Sequence, residues 1–167
     1  MIVGYSGSGK STLAKKLADF YDVPLLYLDK VQFISNWKER DEQEALKIIE
    51  EFLNTNDSWV IDGNYSRRYF DLRASQADKI IFMNFNRLNC LYRCIKRNSE
   101  NKHKVRESMS DGCIEKLDLE FINWILYEGR KKKRKEKYKY LQKEYKNKFI
   151  EIKNQKQLDE FVDSIIK

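Results

Sequence analysis

Proline is almost missing from this 167-residue chain, which carries it only at Pro24, and neither an internal repeat nor a low-complexity linker interrupts the sequence. Those absences exclude a repeat array or two domains on a Pro-rich spacer, and the simplest reading is one domain over residues 1–167. Cysteine is scarce as well: Cys90, Cys94 and Cys113 form an odd set without a C-x-x-C pair, which excludes a disulfide framework. No charged-then-apolar leader and no long apolar run appears, so the sequence predicts a cytoplasmic, reduced protein with no membrane partner. Histidine occurs once, at His103, and a zinc site would have to combine it with the three cysteines. Structural zinc usually sits on two closely spaced ligands, whereas Cys90 and Cys94 are one helical turn apart, so the cysteines read as small buried apolar residues.

What is present suffices for one packed core and a local excess of positive charge. Hydrophobic residues make up 41% of the chain, enough for a core without covalent staples. The formal charge is +7, yet residues 130–137 hold seven basic residues and one glutamate, so that run carries all but one of the net charges. A basic helix of this kind is either a solvated face or a surface for phosphates, nucleic acid or acidic lipid, and charge alone does not choose between them.

Residues 4–11 read Gly-Tyr-Ser-Gly-Ser-Gly-Lys-Ser, a full match to G-x-x-x-x-G-K-[ST]. Apolar Met1, Ile2 and Val3 enter it and an amphipathic helix over 10–21 leaves it, the strand-loop-helix context in which this pattern binds phosphate. The glycines let the backbone coil so that successive N–H groups and the positive end of the helix converge on one anion. Gly4, Ser6, Gly7, Ser8, Gly9, Lys10, Ser11 and Thr12 are therefore the expected nucleotide-binding residues, with Lys10 reaching the terminal phosphates and the Ser11 hydroxyl a magnesium ion. ATP and Mg2+ are the expected cofactors. The entering strand is short, since a buried parallel strand usually runs about five or six residues.

Further along, apolar runs alternate with helical periodicity, the pattern of an α/β domain with a parallel sheet. Strands are predicted over 1–3, 25–28, 58–61, 79–85 and 149–152. Buried helix stripes are predicted at Leu13, Ala14, Leu17 and Ala18, at Ala45, Leu46, Ile49, Phe52 and Leu53 within 39–53, and at Leu88, Leu91, Tyr92 and Ile95 after an Asn86 cap. Residues from 98 to about 112 are polar and aperiodic and read as a mobile lid. A long helix should then bury Ile114, Leu117, Phe121, Trp124 and Ile125. Gly129 separates it from the basic helix with Tyr138, Leu141 and Tyr145, and a last helix shows a capping box at Asn154 and Gln157.

In an open parallel sheet ligands bind at the carboxyl ends of strands, where the glycine loop, Asp29 and Asp62-Gly63-Asn64-Tyr65 all fall. Asp62, closing an apolar strand, suits a carboxylate that holds magnesium through a water beside Ser11. Asp29 faces the phosphoryl acceptor in two versions that both stay open. A hydroxyl acceptor must lose its proton and gains from a carboxylate, whereas a phosphate acceptor needs arginines, which Arg67, Arg68 and Arg73 offer. Trp37, in the loop after Asp29, is the expected acceptor contact, while Trp59 and Trp124 read as core. Arg93 and Arg97, one helical turn apart, and Arg106 on the lid supply positive charge for transfer. A strand-end aspartate is also a common turn residue and a surface arginine is commonly just solvated.

With Gly-Tyr-Ser-Gly-Ser-Gly-Lys-Ser-Thr-Leu-Ala at 4–14, Leu-Asp-Lys at 28–30 followed by Trp37, and Trp-Val-Ile-Asp-Gly-Asn-Tyr-Ser at 59–66, the chain resembles the adenylate-kinase-like P-loop kinases. More closely it resembles the DNA topology modulation protein (FlaR-related) family; Arg93/Arg97 and Asp111-Gly112-Cys113 extend the likeness over nearly the whole chain. The resemblance implies a three-layer P-loop NTPase fold, a five-stranded parallel sheet of order 2-3-1-4-5 with helices on both faces, a lid over ATP, and kinase-type activity. Nucleoside monophosphate kinases of that fold follow the strand-three Asp-Gly with Phe-Pro-Arg; here Asn64-Tyr65-Ser66 precede Arg67 and Arg68, which weighs against a mononucleotide acceptor. The leading expectation is an ATP-dependent kinase acting on a nucleoside, nucleotide or other small hydroxyl compound. The alternative is a nucleic-acid-associated NTP-binding protein that contacts DNA through residues 130–137.

Overall fold

The computed structural model describes residues 1–100, 105–114 and 117–165. Five parallel strands, β1 (Ile2–Gly4), β2 (Leu25–Tyr27), β3 (Val60–Asp62), β4 (Ile80–Met83) and β5 (Phe149–Ile152), form one sheet in the order β2-β3-β1-β4-β5. Helices α1 (Lys10–Tyr21), α2 (Leu28–Gln32), α3 (Glu42–Thr55), α4 (Phe70–Gln76), α5 (Arg87–Glu100), α6 (Leu119–Leu126), α7 (Lys132–Glu144) and α8 (Gln155–Ile165) surround it in a three-layer α/β arrangement. This is the fold class and strand order that the family resemblance implies. No helix among the described residues is long and apolar enough to cross a membrane.

Strand composition explains the layering. All four residues of β4 are buried, the continuous apolar run expected of a parallel strand covered on both faces. In β3 the side chains alternate: Val60 joins the larger core with β1, β4 and α1, whereas Ile61 joins a second core with Leu28 and Val31 of α2 and Ala45, Ile49 and Leu53 of α3. The register places Tyr27 opposite Asp62 and Ile2 opposite Asp62, so the chain leaves β1, β2 and β3 at the same sheet edge. There the glycine loop, Asp29 and Asp62 gather.

Several boundaries move for identifiable reasons. Asp41 caps α3 by accepting from the Gln43 and Glu44 N–H groups, and Phe33 bridges Glu39, so that helix starts at Glu42 rather than 39. Asp29 lies on the first turn of the short α2, two residues past β2. The long helix expected from Ile114 is instead an irregular segment followed by α6, which Asp118 caps by accepting from the Phe121 N–H at 2.8 Å. Ile114 is exposed there and Ile125 alone of the expected stripe is fully buried. Asn86 caps α5 and Asn154 caps α8 as expected, with Gln157 reaching back to the Lys153 N–H.

Of the stripe expected to be buried on α5, only Leu91 packs against the core, half-buried. Leu88, Tyr92 and Ile95 are exposed, and Cys90 and Cys94 are buried, because the glycine loop lies against that side of the helix and leaves room only for small side chains. Ile49→Ala is therefore expected to cost about 2–5 kcal/mol through a core cavity, and Leu88→Ala to stay within about 0.5 kcal/mol. Urea unfolding of both variants checks this, and a larger loss at Leu88 than at Ile49 would contradict the packing described.

Candidate functional site

The glycine loop winds from β1 into α1 with Gly7 at φ 78°. A Cβ on Gly7 would lie 2.5 Å from the Cys90 carbonyl oxygen and 2.7 Å from the Cys94 sulfur, so the loop rests directly on α5 and only glycine fits. Arg93 holds it from the same side. Its guanidinium lies 4.2 Å from the Phe85 ring, donates to the Ser8 carbonyl at 2.8 Å and to the Gln155 side chain, and burial lowers its pKa. Arg93 thus braces the loop backbone rather than presenting its charge openly, while Arg97 sits one turn further beside the Cys94 sulfur at 3.6 Å. Lys10 is folded over the loop and donates to the Tyr5 carbonyl at 3.1 Å; Ser6 and Ser11 are half-buried, Ser8 is buried and Thr12 exposed.

Asp62, Asn64 and Tyr65 each engage a different part of this edge. Asp62 accepts the Ser11 hydroxyl hydrogen at 2.6 Å through Oδ2, while its Oδ1 is buried without a hydrogen-bond partner. Asn64 grips Gly4 on both sides of its peptide, accepting from its N–H at 2.9 Å and donating to its carbonyl at 2.6 Å. The Tyr65 hydroxyl donates to Asp29 at 2.7 Å, which fixes the position of that carboxylate, and burial together with Asp29 raises the phenol's pKa. A buried carboxylate oxygen without a donor, beside a serine hydroxyl, is a donor set for a hard divalent cation. Among the described residues no group of three or more His, Cys, Asp or Glu converges. Magnesium fits that arrangement, because it takes one or two protein oxygens and completes its shell with phosphate and water.

The expected acceptor residues have other occupations. Arg68 is buried, donating to Gln32 at 2.9 Å and pairing with Glu42 at 3.5 Å. Arg73 is fully buried, donates to the Arg68 and Tyr65 carbonyls, and burial lowers its pKa to about 10, so both arginines hold the segment after β3 in place. Arg67 is exposed. Trp37 donates its indole N–H to the Ile114 carbonyl at 3.0 Å and its backbone N–H to the Cys113 sulfur at 3.2 Å. It therefore holds the segment over 105–114, where Ser108, Met109 and Cys113 are buried and Glu107 pairs with Lys15 at 2.5 Å. Residues 98–100 of the expected lid belong to α5, and 101–104, with His103, lie outside the described residues. Arg106 is close enough to Asp62 to lower its pKa.

On the other flank of the loop the structure assembles residues that the sequence reading did not join. Trp124 is partly exposed rather than core; its indole N–H donates to Ser6 Oγ at 3.2 Å and its ring faces the Arg134 guanidinium at 4.2 Å. Gly129 is needed where the chain turns back, since a Cβ there would meet the Trp124 carbonyl at 2.8 Å. From the basic run, Arg130 lies 3.7 Å from the Tyr5 ring and donates to the Phe85 carbonyl at 2.8 Å, and Lys137 donates to the Asn64 carbonyl at 2.6 Å. The signal was in the spacing: positions 134 and 137 share a face of α7 with buried Tyr138 and Leu141, and Arg130 precedes the helix. A larger cleft of about 400 Å³ beside β2 is lined by two lysines, Lys15 and Lys30, and three acids, Asp19, Asp22 and Glu107, so it presents mixed charge.

No protein-family model and no curated protein matches the chain. Among solved structures, the crystal structure of an uncharacterized protein from Eubacterium ventriosum ATCC 27560 is similar, with a TM-score of 0.57 and 20% identity over 99% of this chain and 93% of that one. That likeness shows the fold and leaves the chemistry to the residues themselves.

Burial raises the Asp62 pKa above its usual 3.8, aided by Asp29 and opposed by Lys10, the Ser11 hydrogen bond and Arg106. A folded-state pKa above the unfolded one means that the ionised carboxylate destabilises the fold; the penalty is full above the folded pKa and fades as pH falls through it toward 3.8. Asp62→Asn, which keeps an acceptor for Ser11, should accordingly raise the unfolding temperature at pH 7 in chelator and lose that advantage in acid. Thermal unfolding against pH measures this, and an Asn variant less stable than wild type at pH 7 would refute it.

Proposed function

We propose that this chain is a cytoplasmic, magnesium- and ATP-dependent phosphotransferase of the adenylate-kinase-like type, related to the DNA topology modulation (FlaR-related) family, that transfers the γ-phosphoryl group to a small-molecule acceptor. The observation that carries the reading is the Ser11–Asp62 pair at the mouth of the glycine loop, with one buried carboxylate oxygen unpartnered. Magnesium and ATP supply the transferable group and screen its charge. Ser11 and Asp62 hold the metal, directly or through water, and the loop from Gly4 to Thr12 cradles the phosphates with Lys10 as its cation.

Other residues divide the remaining work. Arg106 brings positive charge from the lid toward Asp62, and Arg97 adds charge from α5. Asp29, oriented by Tyr65, takes the proton of a hydroxyl acceptor. Lys10→Ala is expected to lower turnover roughly 10²- to 10³-fold, the usual loss on removing one preorganised charge. Asp62→Asn should shift the magnesium dependence of ATP affinity, whereas Asp29→Asn should leave it intact and abolish transfer to a hydroxyl. A magnesium titration of ATP affinity paired with single-turnover transfer tests all three, and the reverse pattern for the two acids would overturn their assignment.

The rival reading, a nucleic-acid-associated NTP-binding protein, keeps the exposed Lys131, Lys132, Lys133 and Lys135 of the basic run. Support for it is reduced because Arg130, Arg134 and Lys137 of the same run turn toward the glycine loop. If DNA binds there, its affinity should fall with salt at a log-log slope of about −0.9 per phosphate contacted, and a flat salt dependence would end that reading.

A further inference from the structure

A cavity of about 70 Å³ opens against the first turn of the glycine loop, lined by Ser6, Asn64, Trp124, Arg134, Lys137 and Tyr138 among others. None of its lining residues is acidic. Among the described residues neither Arg134 nor Lys137 pairs with a carboxylate: Arg134 Nε donates to the Glu128 carbonyl and Lys137 Nζ to the Asn64 carbonyl. Each retains further donors, since a guanidinium has five N–H groups and an ammonium three. Two cations, Arg134 and Lys137, share the wall of this cavity, and burial, reinforced by Arg73, Arg134 and Lys10, lowers the Lys137 pKa to about 8. An anion there relieves the repulsion between the two. The volume exceeds the roughly 10–15 Å³ needed for one water several-fold, which suits one phosphate or carboxylate group and not a ring.

We infer that this cavity binds the anionic group of the phosphoryl acceptor, and hence that the acceptor carries a phosphate or carboxylate of its own. Arg134 supplies a planar fork suited to paired oxygens, Lys137 a point charge, and Trp124 the wall that keeps Arg134 in place. Tyr5 and Ser6 line the cavity and belong to the phosphate loop, so an acceptor anchored there lies next to the donor phosphates. In the transfer, the acceptor oxygen bonds to the γ-phosphorus as the bond from that phosphorus to its bridging oxygen breaks; ADP leaves, and a hydroxyl acceptor's proton passes to Asp29. The identity of the ligand as acceptor rests on the phosphotransferase reading, whereas the anion site itself does not.

The site is tested first without ATP. Lys10→Ala protein, whose loop affinity is reduced, is titrated with inorganic phosphate and with acetate at constant ionic strength, following indole emission. A saturable change with one or both is expected, and the ion that gives it separates phosphate from carboxylate. Adding Arg134→Gln or Lys137→Met should raise the dissociation constant roughly ten- to hundredfold, the worth of one charge-assisted hydrogen bond, with Arg134→Lys recovering part of it. Arg134 is exposed, so its replacement tests the site without depending on a core change. No saturation with either ion, or a constant unchanged without these cations, overturns the site.

The second arm compares kcat/KM in otherwise wild-type protein for acceptor pairs that differ only in the anionic group, a nucleoside against its monophosphate and a hydroxy acid against its amide. The charged member should be preferred, and Arg134→Gln should erase the preference by raising the acceptor KM while ATP affinity stays constant. Equal use of both members, or a loss of ATP affinity instead, overturns the assignment to the acceptor. If wild-type protein binds no ATP, the phosphotransferase reading and the acceptor assignment fall together, and the anion titration still decides the cavity.

Discussion

The organising constraint of this molecule is a carboxylate buried at the end of β3. Asp62 sits where water cannot solvate it, with one oxygen held by Ser11 and the other without a hydrogen-bond donor. A buried charge of this kind costs stability unless something cationic is brought to it. Lys10 and Arg106 both approach closely enough to oppose the rise in its pKa, one from the loop and one from the lid segment. The loop, the first turn of α1 and the segment around 106 are thus all arranged with respect to one oxygen pair.

The loop itself is held by contacts that lie outside it. Asn64 clamps the Gly4 peptide from β3, α5 carries Gly7 on Cys90 and Cys94, and Arg93 ties the Ser8 carbonyl to α8 through Gln155. A loop wound around glycines has few hydrogen bonds of its own, so neighbouring elements have to supply its rigidity. This explains why positions 90 and 94 carry small buried side chains. It also gives Asn64 a role that no general rule for strand-end residues would assign.

Sheet, strand order and the loop were legible because each has a local signature: apolar runs, a phosphate-loop pattern and a family likeness that all pointed the same way. What failed to show were faces and partners. Leu88, Tyr92 and Ile95 have better helical spacing than Cys90 and Cys94, yet the close approach of the loop puts the two cysteines inside. Arg68 and Arg73 follow the strand-three acid as acceptor arginines would, and only tertiary contacts show them bound to backbone, Gln32 and Glu42. Trp124 read as core and the basic helix stayed open between a solvated face and an anion surface, because the turn at Gly129, which folds one over the other, has no sequence signal beyond a single glycine.

The charges of the site separate about Asn64. On one side lie Asp62 and Asp29, near enough to each other that Asp29 adds to the rise in the Asp62 pKa. On the other lie Lys137, bound to the Asn64 carbonyl, and Arg134, with no acid in the cavity they line. If stability alone governed these positions, pairing the acids with the cations across Asn64 would relieve both sets. The fold keeps them apart instead, with the Asn64 amide fixed on Gly4 and Tyr138 donating to its oxygen at 3.2 Å. The basic pair lines a cavity with no acid in it, while Lys10 and Arg106 approach Asp62 on the acidic side, so the opposite charges are not joined across Asn64. Under the proposed function a ligand completes the pairing on each side, a cation on the acidic side and an anion on the basic side.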